Sequence, residues 1–416
     1  MKVHEALPLV PIARGEGVWL YDFDGRRYLD AVSSWWVNLF GHANPRINAA
    51  LVDQLGQLEH VLLAGFTHAG VVELSERLAA LAPPGLGHAF YGSDGACATE
   101  IALKMSFHYW RNAGRPGKQR FASVEGGYHG ETLGALGVTD VALFRDTYAP
   151  LLREALVTAS PDARRAAPGE TAHDVAQRAA DALEALLDEH HETMAALIVE
   201  PLVQGATGMA MHHPHYLRRA RELCTRYRVH LVADEIMTGF GRTGTLFACE
   251  QAAMTPDFLL LSKGITGGYL PLAAVLTTGE IYGAFYADDI ARGFLHSHSY
   301  TGNALACRAA LAVLEIFAQD EVIVANRHKA ARFSAAAAPI AAHAKVAGFR
   351  HCGMIWAFEV VSGRPDFARW CFAQALQRGV LLRPIGRTVY FMPPYVVDDD
   401  AFAQLVAAML PILDAA

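Results

Sequence analysis

Short apolar runs alternate with helix-like segments through the middle of the chain. The runs HAFYG, RFASV, AALIVEP, VHLVADE and DFLLLS have the length and composition of buried strands. Residues 71–81, 98–110 and 216–227 carry apolar side chains at helical spacing. This alternation predicts an α/β fold whose large domain has a mixed, mostly parallel sheet flanked by helices.

The two ends of the chain follow a different pattern. Near the start, GVWLYDFDGRRYLDAV predicts a hairpin with an Asp-Gly turn. After about residue 305, an Ala-rich helical region leads to the strand-like runs GFRHCGMIWAFEV and GVLLRPIGRTVYFMPPY, which predict a smaller α+β domain. Because 416 residues are too many for one simple core, we expect a large domain over 51–305, a small domain over 306–416, and an N-terminal segment, 1–50, that joins the small domain. Residues 160–194 are expected to form a surface excursion with an exposed amphipathic helix.

A lysine follows one of the buried runs almost at once. In PDFLLLSKGITGGYLPLAAV, Lys263 comes after the apolar strand, and the Gly-rich stretch behind it leaves the backbone bare between apolar walls. A strand-end lysine commonly lays its stem over apolar surface and keeps its ammonium in water. Desolvation instead favours the neutral amine that forms Schiff bases, so Lys263 is a candidate nucleophile.

A second apolar run, VHLVAD, ends at Asp234 shortly before Lys263. In open α/β sheets, ligands bind at the carboxyl ends of the strands, where both side chains are expected. A strand-end aspartate by itself is usually a cap or turn residue. Together, a Schiff-base lysine and a carboxylate that keeps a pyridinium nitrogen protonated are what pyridoxal phosphate chemistry requires.

That cofactor also needs an anion site and a flat partner for its ring. YGSDGACATEIALKMSFHYW has a Gly-rich turn before a helix, and the N-terminal amides and dipole of a helix favour a phosphate. In EGGYHGET, Tyr128 follows a strand and is able to stack on an aromatic ring, although a half-buried core tyrosine fits the same pattern.

One motif indicates a different chemistry. GFGRTG, residues 239–244, matches the G-x-G-x-x-G pattern of dinucleotide-binding proteins, and Asp257 follows at a suitable distance. That fingerprint requires a helix that opens at the third glycine. TLFACEQA does not predict such a helix, so we do not expect a dehydrogenase.

The composition, 52% hydrophobic and 19% charged, is ordinary for a globular enzyme. The net charge of −7 argues against a nucleic-acid partner or an anionic-membrane surface. We find no apolar run of the roughly 18 residues that span a bilayer. The six scattered cysteines contain no C-x-x-C pair, which predicts reduced thiols and a cytoplasmic protein. No metal site is expected, because the histidines of HSHS lack supporting ligand spacing.

Several motifs together resemble one family. VADEIMTGFGRTG, LLSKGITGG, GGYHGET and HSHSYTGNALAC are similar, in order, to those of class III aminotransferases of the fold-type I pyridoxal phosphate-dependent family. The resemblance covers nearly the whole chain. It implies a fold-type I transferase with pyridoxal 5′-phosphate, small-molecule substrates, and a homodimer with active sites at the subunit interface. SSWWVNLFGHANPRINAAL and LLRPIGRTVYFMPPY resemble, more narrowly, the members that act in biotin biosynthesis.

The resemblance implies roles in the chemistry for five residues. Lys263 would form the Schiff base and act as general acid and base. Asp234 would be the partner of the pyridinium nitrogen, and Tyr128 would stack on the ring. Glu200 and Gln204, in VEPLVQG, match positions behind the reacting groups.

The resemblance also implies which residues bind the phosphate and the substrates. Gly95 and Ala96 would offer backbone N–H groups to the phosphate, and Ser299 would reach it from the other subunit. The substrate-binding residues would be Trp35, Trp36, Tyr128, Lys263, Ser297 and Arg383. Arg383 would clamp a carboxylate, which the planar guanidinium binds bidentately. Without the resemblance, core packing accounts equally for the tryptophans and a solvated strand edge for the arginine.

The chain departs from the family pattern at three points. The sequence begins at MKVHEALPL and does not show the usual upstream His-Pro stretch with its aromatic pocket residue and threonine, so either the start is truncated or that contact is absent. Ala96 stands where serine is common, which removes a hydroxyl from the phosphate turn, and Cys97 beside it is expected to be a small buried filler. Glu131 replaces the aspartate of some members, which leaves recognition of the amino donor open.

The narrower resemblance implies a ping-pong transamination. S-adenosyl-L-methionine would donate its amine, and 8-amino-7-oxononanoate would accept it to give 7,8-diaminononanoate. Three alternatives stay open. The first is another class III transaminase, acting on an ω-amino acid or a diamine with a keto acid acceptor. The others are a decarboxylase or aminomutase on the same fold, and a non-enzymatic regulator, against which the lack of a basic DNA-binding segment argues.

Overall fold

The computed structural model describes residues 2–5, 7 and 9–416. Its strands, numbered along the chain, are β1 Ile12–Glu16, β2 Trp19–Asp22, β3 Arg27–Asp30, β4 His88–Gly92, β5 Arg120–Val124, β6 Leu156–Thr158, β7 Met194–Val199, β8 Val203–Gln204, β9 Ala210–Met211, β10 His230–Asp234, β11 Phe258–Leu261, β12 Ala273–Thr277, β13 Val346–Cys352, β14 Ile355–Val360, β15 Val380–Leu381 and β16 Thr388–Phe391.

The helices are α1 Ser33–Trp36, α2 Pro45–Leu55, α3 Ala69–Leu81, α4 Gly95–Asn112, α5 Leu133–Val138, α6 Ala142–Arg145, α7 Ala172–His190, α8 His215–Tyr227, α9 Gly279–Gly283, α10 Ala304–Gln319, α11 Val322–Ala336, α12 Ala338–Ala341, α13 Phe367–Gln377 and α14 Asp399–Ala415. The first of these, α1, is a single turn with left-handed backbone angles.

A mixed central sheet has the strand order β4-β12-β11-β10-β7-β5-β6. Strand β10 is parallel to β11 and β7, and β5 is parallel to β7 and β6. Strand β12 runs antiparallel to its neighbours β11 and β4. The predicted α/β fold with a mixed, mostly parallel sheet is therefore confirmed, and the five apolar runs coincide with β4, β5, β7, β10 and β11.

Helices cover both faces of this sheet because successive side chains of a strand point to opposite faces. On one face, Ile198 and Val232 share an apolar cluster with Ile101 of α4. On the other face, Leu197 and Leu231 belong to the main core, together with residues of α7 and α8. The sheet is therefore rigidly packed, and its strand ends provide a fixed frame for side chains at its edge.

Residues 160–194 include the predicted helix, but they are not a surface excursion. Helix α7 begins at a capping box in which Thr171 and Asp174 exchange backbone and side-chain hydrogen bonds. Its inner face, with Val175, Leu183 and Leu187, is fully buried and packs against α8. The prediction of an excursion is wrong because α8, which buries this face of α7, lies elsewhere in the sequence.

Two smaller sheets gather strands from the ends of the chain. Strands β1, β2 and β3 are antiparallel, and β3 pairs in parallel with the C-terminal strand β15. Strands β13, β14 and β16 form an antiparallel sheet. The pairing of β3 with β15 thus connects the N-terminal and C-terminal regions of the chain. The domain division at residues 50 and 305 stays a prediction. Among the described helices, none has both the length and the apolar character needed to cross a membrane.

Candidate active site

A cavity of about 710 Å³ opens at one edge of the central sheet. The strands β4, β5, β7, β10 and β11 all point their carboxyl ends at it. The residues that these ends contribute to its wall are Ser93, Tyr128, Glu200, Asp234 and Lys263. Ligands of open α/β sheets bind at such an edge, where several loops converge on one space.

Lys263 begins a short 3₁₀ turn, Lys263–Thr266, just after β11. Its Nζ atom lies 4.7 Å from the centroid of the Trp36 ring. Burial lowers the pKa of the Lys263 amine, and the neighbouring carboxylates of Asp234 and Glu200 oppose that shift. The site therefore favours the neutral, nucleophilic amine more than bulk water does.

Asp234 is the last residue of β10, which lies parallel and adjacent to β11. Its carboxylate is buried, with Oδ2 2.7 Å from His129 Nδ1. The other oxygen, Oδ1, accepts a hydrogen bond of 3.1 Å from the backbone N–H of Ile236. Asp234 and Lys263 thus stand on neighbouring strands at the same edge of the sheet, and the carboxylate is held in place from two sides.

The N-terminus of α4 forms another part of the wall. Asp94 caps this helix by accepting a hydrogen bond of 2.9 Å from the Cys97 N–H, so the N–H groups of Gly95 and Ala96 are not used by the cap. A Cβ atom on Gly95 would lie 2.9 Å from Cγ2 of Ile236. Only glycine, which has no Cβ atom, fits this close approach. The backbone N–H groups of Gly95 and Ala96 stand at the cavity.

Tyr128 is fixed at both its backbone and its hydroxyl. Its N–H donates to Glu200 Oε2 at 3.0 Å, and its hydroxyl donates to Glu131 Oε1 at 2.9 Å. Burial raises the pKa of the Tyr128 hydroxyl, and the hydrogen bond to Glu131 raises it further. The hydroxyl therefore stays protonated at neutral pH and remains a donor, while the ring lines the cavity.

Glu200 is a fully buried carboxyl group in the cavity wall. Its Oε1 accepts a hydrogen bond of 2.9 Å from the Gly205 N–H. Burial raises the pKa of Glu200 to about 7, although His129 and two backbone hydrogen bonds oppose the rise. Gln204 lies behind the wall, where its amide donates to the Glu125 carbonyl at 3.0 Å.

The two adjacent tryptophans face different surroundings. Trp36 is 6% exposed and lines the cavity, and its indole N–H donates to the Tyr390 hydroxyl at 3.0 Å. Trp35 is 58% exposed, and the Arg383 guanidinium stacks over its ring at 4.6 Å from the centroid. Of the predicted substrate residues, Trp36 therefore lies in the wall of this cavity, while Trp35 and Arg383 lie outside it.

Ser297 and Ser299 are exposed on the segment that precedes α10, outside the wall of the cavity. The Ser299 carbonyl accepts a hydrogen bond of 2.8 Å from His60 Nε2. A single chain does not bring either hydroxyl to the cavity. Since Ser299 is predicted to act across a subunit interface, its role and that of Ser297 stay predictions.

His129 is a residue of this site to which the sequence analysis assigned no role. It lies behind Asp234 and is almost fully buried. The available signal was its place directly after Tyr128 in GGYHGET, since a loop that follows a buried strand brings neighbouring side chains to the same edge. The contact of His129 with Asp234 joins segments that are distant in the sequence, so no local pattern predicts it.

The fold and the cavity agree with the comparison of the chain with protein families. The family described as aminotransferase class-III matches residues 1–413. The chain belongs to the class III aminotransferases.

Two curated relatives share one name. The chain is 45% identical over 422 residues to the adenosylmethionine-8-amino-7-oxononanoate aminotransferase of Helicobacter pylori, covering 100% of this chain and 94% of that protein. It is 40% identical over 418 residues to the Geobacter sulfurreducens protein of that name, covering 98% of this chain and 92% of that protein.

Solved structures include similar folds under two names. The crystal structure of the Methanocaldococcus jannaschii adenosylmethionine-8-amino-7-oxononanoate aminotransferase has a TM-score of 0.92 at 33% identity and covers 100% of this chain and 95% of that one. The omega transaminase of Pseudomonas jessenii in complex with PMP has a TM-score of 0.93 at 28% identity, covering 100% and 94%. An amine transaminase from an uncultivated Pseudomonas species, in a PLP-bound form, has a TM-score of 0.93 at 31% identity, covering 99% and 96%.

Proposed function

We propose that this protein transfers an amine from S-adenosyl-L-methionine to 8-amino-7-oxononanoate, forming 7,8-diaminononanoate for biotin biosynthesis. The observation that carries the proposal is the full-length similarity to relatives whose name states both substrates. The cavity supports it, because it combines the amine of Lys263, the carboxylate of Asp234 and the aromatic wall of Trp36.

Pyridoxal 5′-phosphate, the cofactor of this family, fits the residues that are present. Lys263 would offer an amine to its carbonyl carbon, and Asp234 would offer a carboxylate to its ring nitrogen. Gly95 and Ala96 would offer backbone N–H groups to its phosphate, and the missing side chain of Gly95 lets this turn pack closely against Ile236. When bound, the cofactor supplies an electron-withdrawing ring that stabilises negative charge on the carbon that carries the amine.

Lys263 is the proton carrier in this proposal. Because burial lowers the pKa of its amine, Lys263 takes a proton from the substrate carbon that bears the amine and later returns one. Asp234 supplies negative charge that His129 and the Ile236 N–H hold in one orientation. The ring of Tyr128 provides a flat wall, and its hydroxyl donates a hydrogen bond to Glu131.

Trp36 and Arg383 bind the two substrates in turn. Trp36 closes one side of the cavity with an apolar ring, which suits the hydrocarbon chain of an oxononanoate. Arg383 is exposed and its guanidinium lies over the Trp35 ring, so its N–H donors are available for a carboxylate. Both proposed substrates carry a carboxylate, and one arginine serves each in its half of the reaction.

A second candidate function is favoured by the structural comparison. The omega transaminase of Pseudomonas jessenii has a TM-score as high as that of any neighbour described above. Transamination of another ω-amino acid or a diamine, with a keto acid acceptor, would need the same lysine and the same carboxylate. The two candidates differ only in which amines react.

The test is a half-reaction spectrum. The purified yellow protein is mixed separately with S-adenosyl-L-methionine, 7,8-diaminononanoate, lysine and β-alanine. We expect the yellow absorbance of the bound cofactor to disappear with the first two amines and to persist with the others. Bleaching by diaminononanoate but not by S-adenosyl-L-methionine would keep the pathway and change the donor. Bleaching by β-alanine alone would establish the second candidate.

We also propose that the protein is a homodimer whose partner subunit supplies Ser299. The observation in support is that Leu295 and Tyr300, two apolar side chains on the same segment as this serine, are 73% and 68% exposed. A partner that covers them would remove a large apolar area from water. Analytical ultracentrifugation at micromolar concentration is expected to show a dimer. A monomer with full activity would refute the proposal.

A cytoplasmic location is part of the same proposal. All six cysteines are free in the structure, which is compatible with a reducing compartment.

A further inference from the structure

Four consecutive residues after β3 have left-handed backbone angles. Ser33, Ser34, Trp35 and Trp36 have φ values of 51°, 45°, 72° and 72°. This conformation is unfavourable for a residue with a side chain, and a run of four persists only where the surrounding structure holds it. The turn sets the Trp36 ring in the cavity wall, with its centroid 4.7 Å from Lys263 Nζ. The contacts that hold this turn therefore also fix one wall of the site.

Asp30, the last residue of β3, accepts hydrogen bonds from the turn and is fully buried. Its Oδ1 accepts a hydrogen bond of 2.9 Å from the Ser34 N–H, and its Oδ2 accepts one of 2.7 Å from the Ser34 hydroxyl. Bonds to a carboxylate are strong because the acceptor is charged. A buried carboxylate keeps its charge and its orientation only where further donors compensate it.

His42 supplies such a donor from beyond the turn. Its Nε2 atom lies 3.0 Å from Asp30 Oδ2, and its Nδ1 atom lies 3.2 Å from Nδ2 of Asn38. Because a carboxylate only accepts, the neutral ring carries its proton on Nε2, and Nδ1 accepts from the Asn38 amide. His42 thus connects Asp30, before the turn, with Asn38, just after it.

The backbone of His42 is fixed independently of the turn. Its N–H donates to the Gly17 carbonyl at 2.7 Å, and its carbonyl accepts from the Gly17 N–H at 3.1 Å. A Cβ atom on Gly15 would lie 2.6 Å from the Cβ atom of His42, so β1 packs directly on this side chain. His42 is therefore a rigid support against which Asp30 is oriented.

We propose that His42 is a positioning residue for transamination. Its hydrogen bond orients Asp30, and Asp30 holds the left-handed turn that places the Trp36 ring beside the Lys263 amine. His42 itself does not line the cavity. This inference rests on the proposed function, since it treats Trp36 as a wall of the substrate pocket.

Other contacts bind the same turn. The Arg242 guanidinium donates to the carbonyls of Trp36 and Asn38 at 3.3 and 3.0 Å. The Ser33 hydroxyl donates to the Met392 carbonyl at 2.7 Å. The competing account is that these contacts keep the turn in place without help from His42.

Two amide side chains separate these accounts, because each one copies one nitrogen of the imidazole ring. In His42→Gln, the amide reaches as far as Nε2 and still donates to Asp30. In His42→Asn, it reaches only as far as Nδ1, so the bond to Asp30 is lost. Asp22→Asn is the control, since Asp22 is another buried aspartate of this sheet, which accepts two backbone N–H groups in a turn away from the cavity.

Holoenzyme that carries 5-fluorotryptophan gives a readout that does not depend on turnover. The Trp36→Phe variant assigns the fluorine signal of Trp36. We expect this signal to shift or broaden in His42→Asn and to keep its position in His42→Gln and Asp22→Asn. An unchanged signal in His42→Asn would overturn the inference, because the ring would then be held without His42.

A double-mutant cycle relates the position of the ring to the reaction. Stopped-flow bleaching by 7,8-diaminononanoate gives the limiting rate and the half-saturation concentration of each variant. We expect His42→Asn and Trp36→Phe each to lower the ratio of these values by about tenfold, and His42→Gln to lower it by no more than about twofold. The double variant His42→Asn with Trp36→Phe is expected to lose no more than about twofold beyond His42→Asn, since the ring is already displaced.

Multiplicative effects of His42→Asn and Trp36→Phe would overturn the inference, and so would equal losses in His42→Asn and His42→Gln. If His42→Asn does not accumulate as folded protein, His42→Leu, which has no donor, replaces it in both measurements. Failure of the proposed function is distinguishable, because the fluorine signal does not depend on the substrate. A wild-type protein that bleaches only with another amine is analysed in the same cycle with that amine.

Discussion

The Nζ atom of Lys263 lies 4.7 Å from the centroid of the Trp36 ring. The lysine comes from the carboxyl end of a central strand, and the tryptophan comes from a turn near the N-terminus. The ring excludes water from one side of the amine, and this burial contributes to its lowered pKa. The reacting group and the wall of its pocket thus belong to segments that meet only in the folded chain.

Replacing Lys263 with alanine is expected to abolish multiple turnovers. Loss of the proton carrier alone costs about 100- to 10,000-fold in rate, and the proposed covalent link to the cofactor is lost with it. Steady-state product formation measures the effect. Lys345→Ala, which removes a lysine that donates to the Asp414 carbonyl, is the control and is expected to keep full activity. Sustained turnover by Lys263→Ala would contradict the mechanism.

Replacing Asp234 with asparagine is expected to lower the turnover number by about 100-fold or more, because a neutral amide no longer stabilises positive charge on the cofactor ring. The overall fold is expected to persist, since the amide oxygen still accepts the Ile236 N–H. Turnover and circular dichroism test both statements. Asp257→Asn, at the opposite edge of the sheet, is expected to affect stability more than turnover. Equal turnover losses in the two variants would argue against the assignment.

Replacing Gly95 with alanine is expected to weaken cofactor binding by about tenfold, because the new Cβ would lie 2.9 Å from Ile236 and displace the start of α4. Equilibrium titration of the apoprotein with pyridoxal 5′-phosphate measures the dissociation constant. Gly283→Ala is the matched control, since no atom lies within 4 Å of its added Cβ. An unchanged dissociation constant in Gly95→Ala would show that this turn does not bind the cofactor.

The buried His230 is expected to make the protein sensitive to acid. Burial lowers the pKa of His230 from 6.5 to about 4, with Asp257 opposing and Arg221 and Lys118 adding to the shift. Between these values the unfolded chain binds a proton that the folded chain does not. The contribution of His230 to the free energy of unfolding is therefore complete above pH 6.5 and is lost as the pH falls toward 4, a change of about 2–3 kcal/mol.

Urea unfolding at several pH values between 7 and 4.5 tests this prediction. His230→Gln does not titrate, and it keeps a polar group near the Ser106 hydroxyl, which lies 2.8 Å from His230 Nδ1. The variant is expected to be less stable than the wild type at pH 7 but to lose less stability on acidification. Identical slopes for both proteins would mean that other groups cause the acid sensitivity.

Local sequence patterns were sufficient for the strands and for the edge at which the site lies. Apolar runs predicted β4, β5, β7, β10 and β11, because a strand buried on both faces requires a continuous apolar segment. Lys263 and Asp234 were candidates because polar residues that end such runs face the ligand-binding edge. Residues 160–194 were misjudged because their burial depends on α8, which the local pattern does not contain.

By itself, the sequence determined the α/β class of the fold, the strand ends that surround the cavity, and the family. These properties depend on short-range periodicity and on motifs whose residues are neighbours in the chain. Only the tertiary structure decided that Trp36 faces the cavity while Trp35 faces solvent, that His129 lies against Asp234, and that Arg242 binds the turn after β3. Each of these depends on hydrogen bonds between segments far apart in the sequence, or on a left-handed backbone that no local preference predicts.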